Sequence, residues 1–391
     1  MTRRSRVIVA GYFVRFPIGG YVWQALHYLL GFARLGCEVL FYEDSAYYPL
    51  AFDPQSGSSG EDYAFGVERL DEVLGEFGLR GRWVFWDVRR NEFHGLSREE
   101  THRRFADADV LVNLAGVNRL GEWRLPSARI YLDIDPAFTQ IRLENGDVQL
   151  RELLAEHNLF FTFGENVGTP RSPLPTGGFE WRPSRPPVVC DLWDGVPPPV
   201  SREAAFTTIG KWDTVDRDLE FCGVRYHWRK SLAWRKFLDL PMQTGETLEL
   251  AMDVEQIPED LEAVTARGWV VRSPLAISAD PFAYRRYVQD SKGEFSAAKD
   301  MNVRLRSGWF SDRSACYLAA GRPVVVEDTG FGDVLQTGRG LFAVRGLEDA
   351  VEAFSAIRAD YAAHATAARA IAREAFEATR VLPPLLDAAG C

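Results

Sequence analysis

Residues 294–332 contain Glu294-Phe-Ser-Ala-Ala-Lys-Asp, then Arg306-Ser-Gly-Trp-Phe-Ser-Asp-Arg-Ser-Ala-Cys-Tyr-Leu-Ala-Ala-Gly-Arg-Pro-Val-Val-Val, and then Glu327-Asp-Thr-Gly-Phe-Gly. This pattern predicts a short strand, a polar loop, a helix, a buried strand and a second polar loop. Ser311 is predicted to cap the helix, and the three valines suit a strand that is buried on both faces. Both polar loops then emerge at the same edge of a parallel sheet, where open α/β sheets bind their ligands.

The order of these segments resembles the nucleotide-sugar half of GT-B glycosyltransferases. The resemblance rests on the helix ending Ala-Ala-Gly-Arg-Pro-Val-Val-Val and the Thr-Gly loop after it, and it is specific over residues 280–345. It implies an α/β fold with two Rossmann-like domains that face each other across a cleft. Many retaining members carry two glutamates separated by seven residues in this segment. Those positions are Gly308 and Cys316 in this chain, so donor class and stereochemistry do not carry over.

Strand and helix patterns alternate along the rest of the chain, as in doubly wound parallel sheets. We predict an N-terminal acceptor-binding Rossmann-like domain over residues 1–190 and a proline-rich linker over 191–205. A C-terminal nucleotide-sugar-binding Rossmann-like domain is predicted over residues 206–365. The GT-B resemblance implies that residues 366–391 form a helix that packs back on the first domain.

Composition and charge narrow the function classes. The net charge of -10 disfavours a nucleic-acid partner, because neutralising phosphates requires a basic face. The five cysteines show no metal-ligand or paired spacing, which points to a reducing compartment. No signal peptide is expected, and no stretch approaches the roughly 20 apolar residues of a membrane span. We therefore expect a cytoplasmic protein without integral membrane association.

Binding a nucleoside diphosphate requires positive charge, for which the second domain offers several sources. Lys299, Arg313 and the backbone N–H groups of the helix that starts near Asp312 are the predicted ones. The GT-B resemblance adds Gly210 and Lys211, because members often place a basic group after the first strand of this domain. The alternative for both lysines is an ordinary surface position.

Residues just before the predicted helix are candidates for contacts to the nucleoside. Ser307 and Trp309 suit contacts to ribose or base, although Trp309 suits the core equally well. Arg306 suits either a phosphate contact or an ion pair with Asp300 or Asp312.

The polar loop after the valine strand lies where the GT-B resemblance implies contacts to the hydroxyls of the donor sugar. Its alternative is a turn in which Asp328 forms local hydrogen bonds. The predicted donor site therefore consists of Gly210, Lys211, Lys299, Arg306, Ser307, Trp309, Ser311, Asp312, Arg313, Asp328, Thr329, Gly330 and Phe331.

Glycosyl transfer needs an activated acceptor, and the resemblance implies a base in the first domain that faces the cleft. Asp133, Asp135 and Glu165 lie at the ends of predicted strands there. Asp135 is preferred because Pro136 keeps its backbone out of a helix. Helix capping or loop hydrogen bonds are the alternative for the two aspartates. A metal site is disfavoured because no histidine lies close in sequence, and no cofactor is expected apart from the nucleotide sugar as co-substrate.

Aromatic residues in first-domain loops can line an apolar acceptor pocket: Tyr12, Phe13, Phe16, Tyr47 and Tyr48. We interpret the chain as a glycosyltransferase that moves a hexosyl or deoxyhexosyl unit from a nucleoside-diphosphate sugar. The acceptor is a small molecule, such as a natural product, or a glycan. Two alternatives stay open at this point: a non-catalytic nucleotide-sugar-binding protein and a nucleotide-sugar epimerase.

Overall fold

The computed structural model of the protein describes residues 4–197, 199, 204–214 and 217–391. The main elements are an eight-stranded sheet in the first half of the chain and a six-stranded sheet in the second. Helices flank both sheets, and two short antiparallel hairpins complete the strands. The predicted α/β fold with two Rossmann-like units is confirmed.

The first sheet is parallel except at one edge. The strands of this half are β1 (Arg6–Ala10), β2 (Glu38–Asp44), β3 (Ala51–Asp53), β4 (Ser58–Gly60), β5 (Trp83–Asp87), β6 (Glu92–Gly95), β7 (Val110–Leu114), β8 (Ala128–Asp133), β9 (Leu159–Thr162) and β10 (Trp181–Pro183). The helices are α1 (Gly19–Arg34), α2 (Ala64–Glu76), α3 (Arg98–Asp107), α4 (Phe138–Glu144) and α5 (Val148–Ala155). The sheet order is β10-β9-β8-β7-β1-β2-β5-β6, and only β6 runs antiparallel to its neighbour. The carboxyl ends of β1, β2, β7, β8 and β9 therefore lie along one edge.

The second sheet is parallel throughout. The strands of this half are β11 (Phe206–Gly210), β12 (Leu219–Phe221), β13 (Val224–Tyr226), β14 (Leu248–Met252), β15 (Val270–Arg272), β16 (Gly293–Ser296), β17 (Val324–Glu327) and β18 (Leu341–Val344). The helices are α6 (Ser231–Trp234), α7 (Leu240–Thr244), α8 (Pro258–Thr265), α9 (Pro274–Ser278), α10 (Pro281–Asp290), α11 (Asp300–Arg304), α12 (Asp312–Ala319), α13 (Leu347–Ala359), α14 (Tyr361–Ala375), α15 (Ala378–Val381) and α16 (Pro383–Ala389). The sheet order is β15-β14-β11-β16-β17-β18. Every helix in the described ranges is too short or too polar to cross a membrane.

The C-terminal segment consists of three helices rather than the single helix predicted over residues 366–391. The helix breaks after α14 where Val188, from the first half of the chain, forms backbone hydrogen bonds with Phe376 and Ala378 at 2.7 and 2.8 Å. The helix that follows packs closely on α1. A Cβ atom on Gly31 would lie 2.5 Å from Leu382 Cδ1 and 2.8 Å from the Ala378 side chain. Glycine at this position therefore allows the C-terminal segment to contact the first half of the chain.

The predicted linker, residues 191–205, begins as packed structure. Cys190–Leu192 form a 3₁₀ turn, and the side chain of Trp193 is fully buried. Trp193 Nε1 donates to His27 Nε2 on α1 at 3.2 Å. Residues 198 and 200–203 of the predicted linker lie outside the described residues.

Candidate active site

Loops from both sheets meet at the predicted ligand-binding edge. Asn166, after β9, donates from Nδ2 to the carbonyl oxygens of Arg306 and Gly330, at 3.1 Å each. Trp309 Nε1 donates to the carbonyl oxygen of Ile134, after β8, at 3.1 Å. The two polar loops of the second half thus lie directly against the strand ends of the first half.

Lys299 and Asp135 form an ion pair across this contact. Lys299 Nζ lies 2.6 Å from Asp135 Oδ1 and 3.3 Å from the centroid of the Trp228 ring. Burial lowers the pKa of Lys299, while the charge of Asp135 acts in the opposite direction. The ammonium predicted to bind phosphate is therefore already held by a carboxylate and an aromatic face.

The three carboxylates proposed as the base occupy different environments. Asp133 is buried and accepts hydrogen bonds from Thr139, Gln140 and Thr162 at 2.8 to 2.9 Å. Burial raises the pKa of Asp133 to about 6. These contacts connect the end of β8 to α4 and β9. They are the kind of hydrogen bonds that the sequence analysis gave as the alternative to a role as the base.

Glu165 and Asp135 differ in their exposure. Glu165 is paired with Arg185 through two contacts of 2.7 and 3.0 Å, and 13% of its side chain is exposed. The side chain of Asp135 is 42% exposed. Asp135 is thus the most accessible of the three carboxylates at this edge.

Arg313 is engaged inside the second domain. Its Nε donates to Glu294 at 2.6 Å, its Nη1 to the Ile209 carbonyl at 2.8 Å, and its Nη2 to Ser296 at 2.8 Å. The other carboxylate oxygen of Glu294 is buried without a hydrogen-bond partner. Arg313 therefore joins β11 and β16 to the start of α12, and its charge remains close to the site.

Ser311 is the N-cap residue of α12, as predicted, but its side chain accepts no hydrogen bond from the helix backbone. Asp312 explains the difference. Its carboxylate accepts the Ser311 hydroxyl at 3.4 Å and the Arg313 N–H at 2.8 Å, and it also accepts Gln24 Nε2 from α1 at 3.3 Å. Burial raises the pKa of Asp312. The first turn of α12 is thus close to first-domain side chains.

Gly308 and Cys316 occupy the positions of the two glutamates that many retaining GT-B members carry. Both residues lie against the first half of the chain. Gly308 has φ of +78°, and a Cβ atom there would lie 2.8 Å from the backbone nitrogen of Asn166. Cys316 is buried, with Sγ 3.7 Å from His27 Nε2. A glutamate at either position would collide with, or be buried against, the first domain.

Several predicted nucleoside contacts have partners within the protein. Ser307 is buried and donates to Asn302 Oδ1 at 2.8 Å. The Thr329 hydroxyl donates to the Trp309 carbonyl. Phe331 is buried against Phe310, with ring centroids 5.2 Å apart. These side chains shape the loops, and Trp309 lies partly buried at the boundary between the two halves.

The Asp328 loop forms a local hydrogen bond, which was the alternative to contacts with the hydroxyls of the donor sugar. Asp328 Oδ1 accepts the Gly330 N–H at 2.8 Å. Arg306 pairs neither with Asp300 nor with Asp312, as considered from the sequence, because its Nη2 lies 2.7 Å from Asp333 and its Nη1 3.8 Å from Asp328. Its backbone, with φ of +48°, directs the side chain along this loop.

Gly210 is the last residue of β11, and Lys211 follows it at the same edge. Lys211 is 76% exposed, and its ammonium lies 3.6 Å from Asp253. A Cβ atom on Gly210 would lie 3.6 Å from Arg313 Nη1, which places this glycine beside the buried guanidinium. Lys211 is therefore a surface cation at the rim of the site.

Lys230, just before α6, is a cation of the site that the sequence analysis did not select. Within the described residues its ammonium has no hydrogen-bond or ion-pair partner. Burial, followed by the charges of Arg313 and Lys299, lowers the pKa of Lys230 to about 7, while Glu294 and Asp135 act in the opposite direction. Lys230 follows a hairpin rather than a strand of the main sheet, so only the rarity of lysine in this chain distinguished it.

Two cavities flank the first turn of α12. One, partly open to solvent, lies between α1 and α12 and is lined by Gln24, Tyr28 and Asp312. The other, also partly open, lies beside β16 and β17 and is lined by Ser296 and Glu327. The helix N-terminus, which carries partial positive charge, thus faces space on both sides.

Comparison with models of protein families gives no match, and no curated protein matches the sequence.

The whole chain is nevertheless similar in structure to solved glycosyltransferases. An alpha-glucosyltransferase in complex with UDP aligns with a TM-score of 0.61 at 9% identity, over 99% of this chain and 100% of the other. Anabaena HepE in complex with UDP aligns with a TM-score of 0.55 at 11% identity, over 99% of both chains. A glycosyltransferase from Rickettsia africae gives 0.54 at 9% identity, over 100% of this chain and 98% of the other. The chain therefore has the GT-B fold of these glycosyltransferases.

Proposed function

We propose that the protein is a glycosyltransferase that moves a hexosyl or deoxyhexosyl unit from a UDP-sugar to a hydroxyl group of an acceptor. The observation that carries this proposal is the ammonium of Lys230, which has no partner among the described residues. Lys230 lies two residues after Trp228, whose ring covers the Lys299 ammonium. The N–H of the next residue, Ser231, donates to the Trp212 carbonyl after β11 at 3.1 Å. A diphosphate provides the compensating anion that this ammonium lacks. The fold and the UDP complexes of the similar structures support the same donor class.

The roles of the site residues follow from their positions. Lys230 and the first turn of α12 stabilise the diphosphate, while Arg313 holds β11, β16 and α12 in place beneath it. Asp135 accepts the proton of the acceptor hydroxyl. The acceptor oxygen then forms a bond to the anomeric carbon, and the carbon–oxygen bond to UDP breaks with its electron pair. Lys299 orients the Asp135 carboxylate through their ion pair.

The non-catalytic binding protein and the epimerase remain the competing functions. Incubation with UDP-glucose and related donors separates all three, because a transferase releases UDP as the sugar moves to an acceptor or to water. An epimerase changes the sugar without releasing UDP, and a binding protein leaves the donor intact. UDP release with each donor in a panel of hexose and deoxyhexose derivatives identifies the sugar.

A small acceptor is the second element of the proposal. One similar structure is an alpha-glucosyltransferase bound to UDP and a DNA 13-mer, so a nucleic-acid acceptor needs a direct comparison. The net charge of -10 opposes binding of a polyanion. We expect a DNA duplex to bind with low affinity even at low salt, and tight salt-dependent binding contradicts this part of the proposal.

Lys230→Gln is expected to weaken UDP binding by about 10- to 100-fold, the effect of losing one charge-assisted hydrogen bond. Isothermal titration of UDP into the purified protein measures this change. Arg267→Gln is the matched control, because it removes one positive charge from an exposed ion pair with Asp239 in the same domain. Equal UDP affinity in the Lys230 variant and the wild type would remove this lysine from the donor site.

The affinity for UDP should also depend on pH. The pKa of Lys230 is about 7 in the free protein, and a bound diphosphate favours the charged ammonium. Binding above pH 7 therefore takes up a proton, and UDP affinity should fall by roughly tens-fold between pH 7 and 9. Titration in buffers of different ionisation enthalpy detects the proton. Lys230→Arg should bind UDP without proton uptake, and unchanged uptake in that variant would assign the proton to another group.

A further inference from the structure

A buried ion pair holds three first-domain loops together at the edge of the cleft. Glu43 accepts the backbone N–H groups of residues 13–15 at 2.7 to 3.0 Å and the Nε of Arg15 at 2.8 Å. Arg15 also donates to the Tyr48 carbonyl at 3.2 Å and to Asn118 Oδ1 at 3.0 Å. Because Arg15 and Glu43 are fully buried, the loops after β1, β2 and β7 share one rigid base.

Aromatic rings cover this base, and we call Tyr12, Phe16, Tyr21 and Tyr48 the aromatic platform. Phe16 contacts Tyr12, Tyr21 and Tyr48 at centroid distances of 5.2, 5.8 and 6.0 Å, and Tyr12 contacts Tyr21 at 5.7 Å. The rings meet at angles between 42° and 80°, so they form an uneven surface rather than a flat stack.

The aromatic platform exposes an unusual amount of apolar surface. Eight large hydrophobic side chains are exposed in the described part of the chain: two of them, Tyr21 and Tyr48, belong to the aromatic platform, and two more, Tyr47 and Leu50, lie beside Tyr48 in sequence. Clustered exposed apolar side chains mark binding surfaces, whereas single ones are ordinary. The hydroxyls of Tyr12, Tyr21 and Tyr48 have no hydrogen-bond partner within the described residues.

The aromatic platform adjoins the first turn of α12. Tyr21 lies on α1, three residues before Gln24, whose Nε2 donates to Asp312 at 3.3 Å. The other rings lie in the loops after β1 and β2, and Asp135 follows β8 at the same edge of that sheet. A molecule on the aromatic platform therefore lies at the edge that carries the proposed base.

Two arginines near the aromatic platform are already paired with carboxylates. Arg15 and Glu43 are bound to each other beneath the rings, and Arg119 lies over the Tyr47 ring, 3.8 Å from Glu156. A phosphate backbone would need free cations here, and a glycan would need several polar side chains for its hydroxyls. Rings and phenolic hydroxyls suit a different ligand.

We propose that the aromatic platform binds the acceptor and that this acceptor is a small hydroxylated aromatic compound. Its ring contacts Phe16 and the ring of Tyr48, its polar substituents pair with the free hydroxyls of Tyr12 and Tyr21, and its reacting hydroxyl is directed toward Asp135. This inference rests on the proposed function, because it names the acceptor class of the same site.

The test measures binding of 7-hydroxycoumarin, a fluorescent phenol, to the intact protein without any donor. Tyr48→Ala should weaken this binding by about 10-fold or more, because an exposed ring that stacks on the ligand is removed. Tyr48→Phe keeps the ring and should stay within about twofold of the wild type. Met242→Ala is the control for an exposed apolar side chain elsewhere. UDP affinity is measured in the same four proteins and should be unchanged.

The outcomes separate the two proposals. If coumarin binding depends on Tyr48 but the protein does not bind UDP, the proposed ligand class of the aromatic platform is supported. The proposed glycosyltransferase function is then ruled out. UDP binding without coumarin binding at millimolar concentration overturns the acceptor class. Tighter Tyr48-dependent binding of maltose or of a single-stranded oligothymidylate also overturns it, in favour of a glycan or a nucleic acid.

Discussion

Replacing Asp135 with asparagine is expected to slow sugar transfer by about 10²- to 10⁴-fold, the contribution of a general base. Asparagine keeps the size and polarity of the side chain but cannot accept a proton. Asp135 is the candidate because Asp133 is buried in three hydrogen bonds and Glu165 is paired with Arg185. UDP affinity should stay near the wild-type value, since Lys230 supplies the diphosphate contact.

Two further variants give this experiment its controls. Glu165→Gln changes another carboxylate at the same edge and should transfer sugar at a rate close to that of the wild type. Lys299→Gln breaks the ion pair but keeps the Asp135 carboxylate, so its loss should be much smaller than that of Asp135→Asn. Near-normal transfer by Asp135→Asn would mean that the base lies elsewhere. A retaining mechanism, in which the leaving diphosphate helps to deprotonate the acceptor, would then be favoured.

Replacing Arg15 with methionine is expected to destabilise the first domain by about 3–5 kcal/mol, the cost of leaving one partner of a buried pair without its counter-charge. Both side chains are fully buried, and Glu43 would keep only its backbone N–H donors. Urea denaturation followed by tryptophan fluorescence measures the shift. The loops after β2 and β7 also lose their connection, so 7-hydroxycoumarin binding should weaken in the folded variant.

The control for this prediction is a pair on the surface. Arg98 lies 3.1 Å from Glu122, and both side chains are about half exposed. Arg98→Gln should change stability by only about 0–1 kcal/mol. The double variant Arg15→Met/Glu43→Gln should cost less than the sum of the two single changes, because each single change already breaks the pair. An Arg15→Met effect no larger than that of Arg98→Gln would contradict the assigned role.

The fold follows from local patterns that sequence reasoning detects. The valine run predicted as a buried strand is β17, and its four residues are all buried. Asp280 followed by Pro281 is a typical sequence signal for the start of a helix, and at the start of α10 the Asp280 carboxylate accepts the N–H groups of Phe282 and Ala283. Such signals are reliable because the groups involved lie within a few residues of one another, so distant contacts change them little.

At two helix N-termini, side-chain contacts with neighbouring residues compete with the capping hydrogen bonds that the sequence pattern predicts. Ser97-Arg-Glu-Glu matches the sequence pattern of a capping box, but only half of the box forms, because Ser97 accepts the Glu100 N–H while the Glu100 carboxylate pairs with Arg103 and Arg104. At α12, the Asp312 carboxylate rather than the Ser311 hydroxyl accepts a backbone N–H of the first turn, that of Arg313. In both helices a hydrogen bond that involves a charged side chain forms in place of a capping hydrogen bond, because charge-assisted hydrogen bonds are stronger.

The site belongs to the tertiary structure. Sequence reasoning selected Asp133, Asp135, Lys299 and Arg313 by residue type and by their place at strand ends, and the structure brings these residues to one edge. Whether each is buried, paired or free depends on contacts between residues far apart in the chain. The Lys299–Asp135 pair, for example, spans 164 positions.

Lys230 is the clearest example of a site residue that sequence patterns do not identify. The sequence by itself determined that strands and helices alternate and that polar loops gather at the carboxyl edges of two sheets, because hydrophobic periodicity and capping act over a few residues. Only the packing of one half of the chain against the other decided which charges neutralise one another. Electrostatic energies depend on distance and burial, so the lack of a partner for Lys230 among the described residues was defined only in the folded protein.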